Sequence, residues 1–146
     1  MSDAEFDVAK DGSFSWAWQG PLLVTYAEPG AVPAARFNSW IACIKRHDFE
    51  YILGAATGGA SITSGQRRAV IDTLGNKQHI AVLVDDRLTR GIFTALSWLG
   101  LKVRCFAWAD IGSAIRHLDM PNANVDEVAK IVLELRRLAE AAARRR

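Results

Sequence analysis

The chain has no apolar run long enough to cross a membrane. Its longest purely aliphatic stretch is Ile80–Val84, where a helical span needs about 20 residues. It has two cysteines, Cys43 and Cys105, too few for the disulfide framework of a small secreted scaffold. Neither lies near a second Cys or a His at zinc-ligand spacing, so both read as buried thiols. The three histidines, His47, His79 and His117, are scattered. None stands four residues from another, so no metal site is expected. Phosphate-binding G-x-x-x-x-G-K-[ST] and G-x-G-x-x-G patterns are absent, and so is a G-x-S-x-G nucleophile elbow. Charge of one sign is also missing. A net charge of +2, partly from Arg144-Arg145-Arg146, leaves no basic face for nucleic acid. The first residues, Met1-Ser2-Asp3-Ala4-Glu5, are acidic where a secretion signal would be basic. The expectation is a cytoplasmic protein with no cofactor.

What is present is a core. At 146 residues with 50% hydrophobic residues, one domain of this size buries roughly 68–70% of its unfolded surface without needing disulfides or metal. Three short apolar runs, Glu50–Thr57, His79–Asp85 and Lys102–Trp108, alternate with two helix-like segments, Ser64–Leu74 and Thr89–Leu99. That rhythm predicts a parallel sheet with crossover helices. Before it, Phe14, Trp16 and Trp18 alternate with Ser13, Ser15 and Ala17. This pattern predicts a strand with one buried face, joined through Gln19-Gly20-Pro21 to a second strand, Leu22–Tyr26, as an antiparallel hairpin. Phe37, Trp40, Ile41 and Ile44 form the stripe of a helix that opens near Pro33. Ile80–Val84 reads as the most central strand.

After a short helix, Asp110–Leu118, the chain breaks at Pro121-Asn122-Ala123-Asn124. Asn124 then caps a last amphipathic helix, whose stripe is expected on the sheet or on a second subunit. Its tail, Ala139–Arg146, lacks an apolar side and is expected to fray. The predicted class is α/β: a mixed, mostly parallel sheet of about five strands with four to five helices. Residues 1–12 are expected as an N-terminal arm, a short strand or loose, with 13–120 the α/β domain and 121–146 the C-terminal helix with its basic tail.

Parallel sheets place their working loops at the carboxyl ends of the strands. Thr57–Gly65 holds Gly58, Gly59 and Gly65 with no lysine after the last glycine, so it reads as a flexible connection. The helix after it starts at Thr63 or Ser64. A hydroxyl there (Ser61, Thr63 or Ser64) could take a phosphate facing the positive end of the helix, with Arg67 and Arg68 one turn on. Asp85-Asp86-Arg87 ends the next strand. Two carboxylates there could hold Mg²⁺ or accept a phosphoryl group, or could simply solvate the loop and help to cap the next helix, which Thr89 is expected to start. Arg136 and Arg137 on the last helix could meet an acidic partner or only oppose the helix dipole.

The order hairpin, helix, strand, helix, strand, helix, strand, helix resembles the STAS/SpoIIAA-like domain over residues 13–118. The closest local likeness is in Arg90–Leu118, where Trp98-Leu99 precedes the strand Val103–Ala107 and a short Ala-rich helix. In anti-sigma-factor antagonists of that family, a Ser or Thr at the matching helix start is phosphorylated by a partner kinase. Here Ile62-Thr63-Ser64-Gly65-Gln66 stands where the family carries Asp-Ser-[Ser/Thr]-Gly-Leu. The resemblance implies a bacterial signalling module that docks on protein partners, sometimes with a bound ligand or lipid.

The leading expectation is therefore a non-enzymatic regulatory or scaffold module with no catalytic or metal-binding residues, phospho-regulated near Ser64. Its docking surface would include Gly58, Gly59, Arg67, Arg68, Asp85, Asp86 and Arg87, with the last helix as a second contact or a means of self-association. The alternatives are a Mg²⁺-dependent, phosphoryl-accepting receiver or small enzyme centred on Asp85 and Asp86, and a lipid or small-ligand binding module.

Overall fold

A computed structural model describes residues 4–75 and 77–145. The expected hairpin is present. Strand β2 (Phe14–Gln19) pairs antiparallel with β3 (Leu22–Ala27), and β1 (Glu5–Asp7) adds to the outer edge of β2. From β3 the chain steps through α1 (Ala34–Arg46) to β5 (Tyr51–Ala56), through α2 (Ser64–Leu74) to β7 (His79–Leu83), and through α3 (Arg87–Trp98) to β8 (Val103–Phe106). These four strands are parallel, and the described residues form a six-stranded sheet of order β1-β2-β3-β5-β7-β8. A two-residue pair, β4 (Gly30–Ala31) with β6 (Ala60–Ser61), ties the loop after β3 to the loop after β5. A 3₁₀ turn (Trp108–Asp110) leads into α4 (Ile111–His117), and α5 (Val125–Arg144) ends the fold. Among the described residues, no helix is long and apolar enough to cross a membrane.

The topology divides the core. Every crossover from β3 to β8 advances in one direction, and the right-handed rule for such connections puts their helices on one face. Residues of α1, α2 and α3 accordingly share one apolar cluster with Trp16, Leu23, Ile52 and Val82. The opposite face is left to α4 and α5, which share a second cluster with Ala17, Val24, Tyr26, Leu53 and Leu83.

Several expectations change. The sheet has six strands rather than about five, because Glu5–Asp7 pairs with β2. Strand β2 is buried on both faces, not one: Ser15 and Ala17 are as enclosed as Trp16. Ala17 packs with residues of α5, and the Ser15 hydroxyl accepts from the Ala9 amide at 3.1 Å. Strand β7 is penultimate rather than central; β8 adds beyond it and the middle of the sheet is β3–β5.

The tail of α5 does not lose its packing. Ala139 and Ala142 are buried, and the helix continues to Arg144. Small side chains are what allow this, because the backbone of Gly12 lies directly against that turn. The apolar stripe of α5 (Val128, Ile131, Val132, Leu135) is docked on the sheet.

Helix starts also sharpen. Asn124 caps α5 by accepting from the Glu127 amide at 3.2 Å. Thr63, not Ser64, caps α2 through a reciprocal box: its hydroxyl accepts from the Gln66 amide, while the Gln66 side chain accepts from the Thr63 amide. Thr63→Ala is expected to destabilise the fold by about 1 kcal/mol, the usual worth of such a cap. Chemical denaturation would show it as a lowered midpoint with unchanged slope.

Candidate functional site

At the carboxyl ends of the parallel strands, three loops meet. The Asp85 carboxylate accepts from the Trp108 amide at 3.0 Å, and the Trp108 indole donates to the Ala56 carbonyl at 2.9 Å. The ends of β5, β7 and β8 are thus laced together. Asp86, not Thr89, caps α3. It accepts from both the amide of Thr89 (2.9 Å) and its hydroxyl (2.7 Å). These bonds from Thr89 hold the Asp86 carboxyl below the usual carboxylate range. A carboxylate with a depressed folded-state pKa contributes stability at higher pH. That contribution is lost as pH falls past its unfolded value and through its folded one. Asp86→Asn keeps the cap without the charge. The variant is therefore expected to show a flatter fall in stability below about pH 4, measured by denaturation at stepped pH.

Beside these loops, Tyr26 donates its hydroxyl to Glu28 and also meets the Thr57 hydroxyl at 3.0 Å. Burial, then the bond to Glu28, pushes the Tyr26 hydroxyl pKa up. Arg136 lies over the Trp108 ring, 4.5 Å from its centroid, and pairs with Glu140 at 3.3 Å. Sequence reasoning missed Tyr26, Glu28 and Thr57. Tyr26 and Glu28 lie two residues apart, but Thr57 follows β5, and only the β3–β5 register brings it to them.

The other expected site residues separate. Ser64 is exposed in the first turn of α2, and its hydroxyl is not the helix cap. Ser61 lies in β6 and is exposed. Arg67 donates to the Ile62 carbonyl and Arg68 pairs with Asp72, so both have partners inside their own segment. Gly58 and Gly59 are exposed, and the Gly59 carbonyl accepts from the Gly30 amide. Arg87 is exposed at the start of α3. Arg137 pairs with Glu134, away from Arg136's stack on Trp108.

The thiol expectation changes as well. Cys43 and Cys105 are each half-buried, and Cys43 does lie beside a histidine. Its sulfur is 3.8 Å from His47 Nδ1 one helical turn on, and it accepts from the Trp18 indole at 3.2 Å. The His47 ring stacks on Trp18 with centroids 4.0 Å apart. Among the described residues, no group of three or more His, Cys, Asp or Glu side chains could hold a metal ion.

Helix α3 turns Ile92, Phe93 and Leu96 toward the sheet. Its ends are exposed: Leu88 in the first turn is 77% exposed, and at the far end Trp98 is 82% and the C-cap Leu99 63%. Between α3, α2 and the sheet lies a chamber of about 130 Å³. Among the strand residues lining it, Gly54 and Ala56 on β5 and Thr25 and Ala27 on β3 are small.

Comparison with known proteins gives no match: no family model, no curated protein and no solved structure matches this chain.

Proposed function

We propose that the chain is a non-enzymatic regulatory module of STAS/SpoIIAA-like type, acting by docking on a protein partner whose contacting surface is acidic. The observation that carries this reading is the carboxyl end of α3, where Trp98 and Leu99 stand in solvent next to each other. Large apolar side chains grouped on one exposed helix favour an interface. Tryptophan is the residue type most often found to dominate one. Arg87 in the first turn of α3 and Lys102 just beyond its end are both exposed, which favours a partner of opposite charge.

The strand-end carboxylates favour a structural part in this reading. Asp85 holds Trp108 and Asp86 holds α3, so both support the platform that presents the helix. Ser64, exposed with its hydroxyl unused by the cap, supports phosphorylation as the regulating event. A phosphate there would face the positive end of α2.

The test is a photo-cross-linking residue at position 98, used in cells of the native host. The expected result is an adduct with one protein that is competed by purified wild-type chain. Once purified, that protein should bind directly and lose affinity when Arg87 and Lys102 are changed to glutamate. Adducts only with lipid, or only with a second copy of this chain, would contradict the proposal.

A further inference from the structure

The outer edge of β8 extends the docking reading and rests on it for the presence of a protein partner. Strand β8 is the last of the sheet. The carbonyls of Lys102 and Phe106 accept from the amides of Ile80 and Val84. Alternate residues of a strand aim their peptide groups to the same side, so Arg104 faces β7 as well. Val103 and Cys105 therefore turn their N–H and C=O groups away from β7. Among the described residues, no strand pairs with them there and no loop bonds to them. The other edge of the sheet differs. Strand β1 has only three residues, and its Asp7 carbonyl is already taken by Arg36 at 3.1 Å.

The side chains sort by the same alternation. Val103 and Cys105 pack with the cluster shared by α1, α2 and α3. Arg104 stands opposite Ala81 of the other cluster, and it lies over the Phe106 ring at 5.2 Å from the centroid. His117 of α4 meets that same ring, with centroids 5.5 Å apart. Lys102 and Arg104 are both exposed. Among the described residues, neither has an acidic side chain within ion-pair distance. Charges on an edge strand guard it against self-pairing. A second copy laid antiparallel on β8 would set like charges against each other. An acidic strand turns the same contact into an attraction.

We propose that β8 receives an extended acidic segment of the protein partner as an added strand. Main-chain bonds to Val103 and Cys105 hold the segment. Its acidic side chains meet Lys102 and Arg104 on one face, and its apolar side chains cover Val103 and Cys105 on the other. Trp98 and Leu99 lie just before β8 in the chain, so one partner reaches both features.

The probe is a short blocked peptide alternating glutamate and valine, titrated to millimolar concentration into the whole chain and followed by nuclear magnetic resonance. Binding is expected to slow amide hydrogen exchange at Val103 and Cys105 in proportion to occupancy. A peptide with lysine in place of glutamate should bind roughly tenfold more weakly, and so should the glutamate peptide on the double variant Lys102→Glu, Arg104→Glu. The proposal is overturned if the glutamate peptide does not bind, or if it binds without protecting Val103 and Cys105. Equal binding of the lysine peptide also overturns it. The exchange measurement uses the unaltered chain, so a poorly folded variant does not remove the test. The peptide carries nothing for Trp98 to anchor. An adduct at position 98 with no strand addition therefore overturns only this inference, and strand addition with no such adduct overturns only the reading of α3.

Discussion

Gly12→Ala is expected to destabilise the domain by roughly 3–4 kcal/mol and to loosen the last two turns of α5. Two effects add at this position. Gly12 has φ = +74°, a region that costs an alanine about 1–2 kcal/mol. A Cβ placed there would also meet α5 directly. It would lie 2.8 Å from the Ala143 nitrogen and closer still to the Ala139 carbonyl oxygen. Both are backbone atoms, so relief requires moving the helix rather than turning a side chain. Gly20→Ala is the internal control. Gly20 also has positive φ, at +53°, but nothing lies within 4 Å of its Cβ direction, so only the backbone cost of about 1–2 kcal/mol should remain. Denaturation midpoints for the two variants, with amide exchange followed at 139–144, separate strain from contact. Equal losses in both would contradict the close packing of Gly12 on α5.

This contact also explains why one part of the chain was misread. Ala139, Ala142 and the residues between them look like a fraying tail, because alanine periodicity carries little hydrophobic signal. Alanine is the side chain that lets a helix approach a glycine backbone, but the partner lies more than 120 residues away in sequence. The crossover unit was legible for the opposite reason. Continuous runs such as Tyr51–Ala56 and Ile80–Leu83 register burial on both faces, and Gly75 and Gly100 mark the ends of α2 and α3. In β2 the strand was legible but its second buried face was not, since Ser15 and Ala17 show their burial only in the assembled fold. Of the site, the loops at the strand ends could be read in advance. Which atoms of Asp85, Asp86 and Thr63 are already committed could not, because those bonds depend on three-dimensional neighbours such as the Trp108 amide. The chamber depends on the register that sets Thr25 beside Gly54 and Ala27 beside Ala56.

The second large effect concerns α3. Changing both Trp98 and Leu99 to serine is expected to weaken partner binding by about 2 kcal/mol or more, roughly thirtyfold, the scale on which an interfacial tryptophan acts when truncated. Stability should change little, because both side chains already stand mostly in solvent and surface substitutions of this kind usually stay within about 0.5 kcal/mol. The separation of the two quantities is the point: a residue that anchors a partner affects affinity, whereas one that anchors the core affects the melting temperature. Circular dichroism before titration checks that the double variant retains the fold.

The most direct measurement compares two double variants against the partner recovered through position 98, by calorimetric titration under the same conditions. One is Trp98→Ser with Leu99→Ser; the other is Asp85→Asn with Asp86→Asn, which keeps hydrogen-bond acceptors but removes both strand-end charges. Docking through α3 on a structural platform requires the first to lose affinity about thirtyfold and the second to bind close to wild type. Retained affinity in the first variant with loss in the second would contradict it, and would place the working surface at the carboxylates instead.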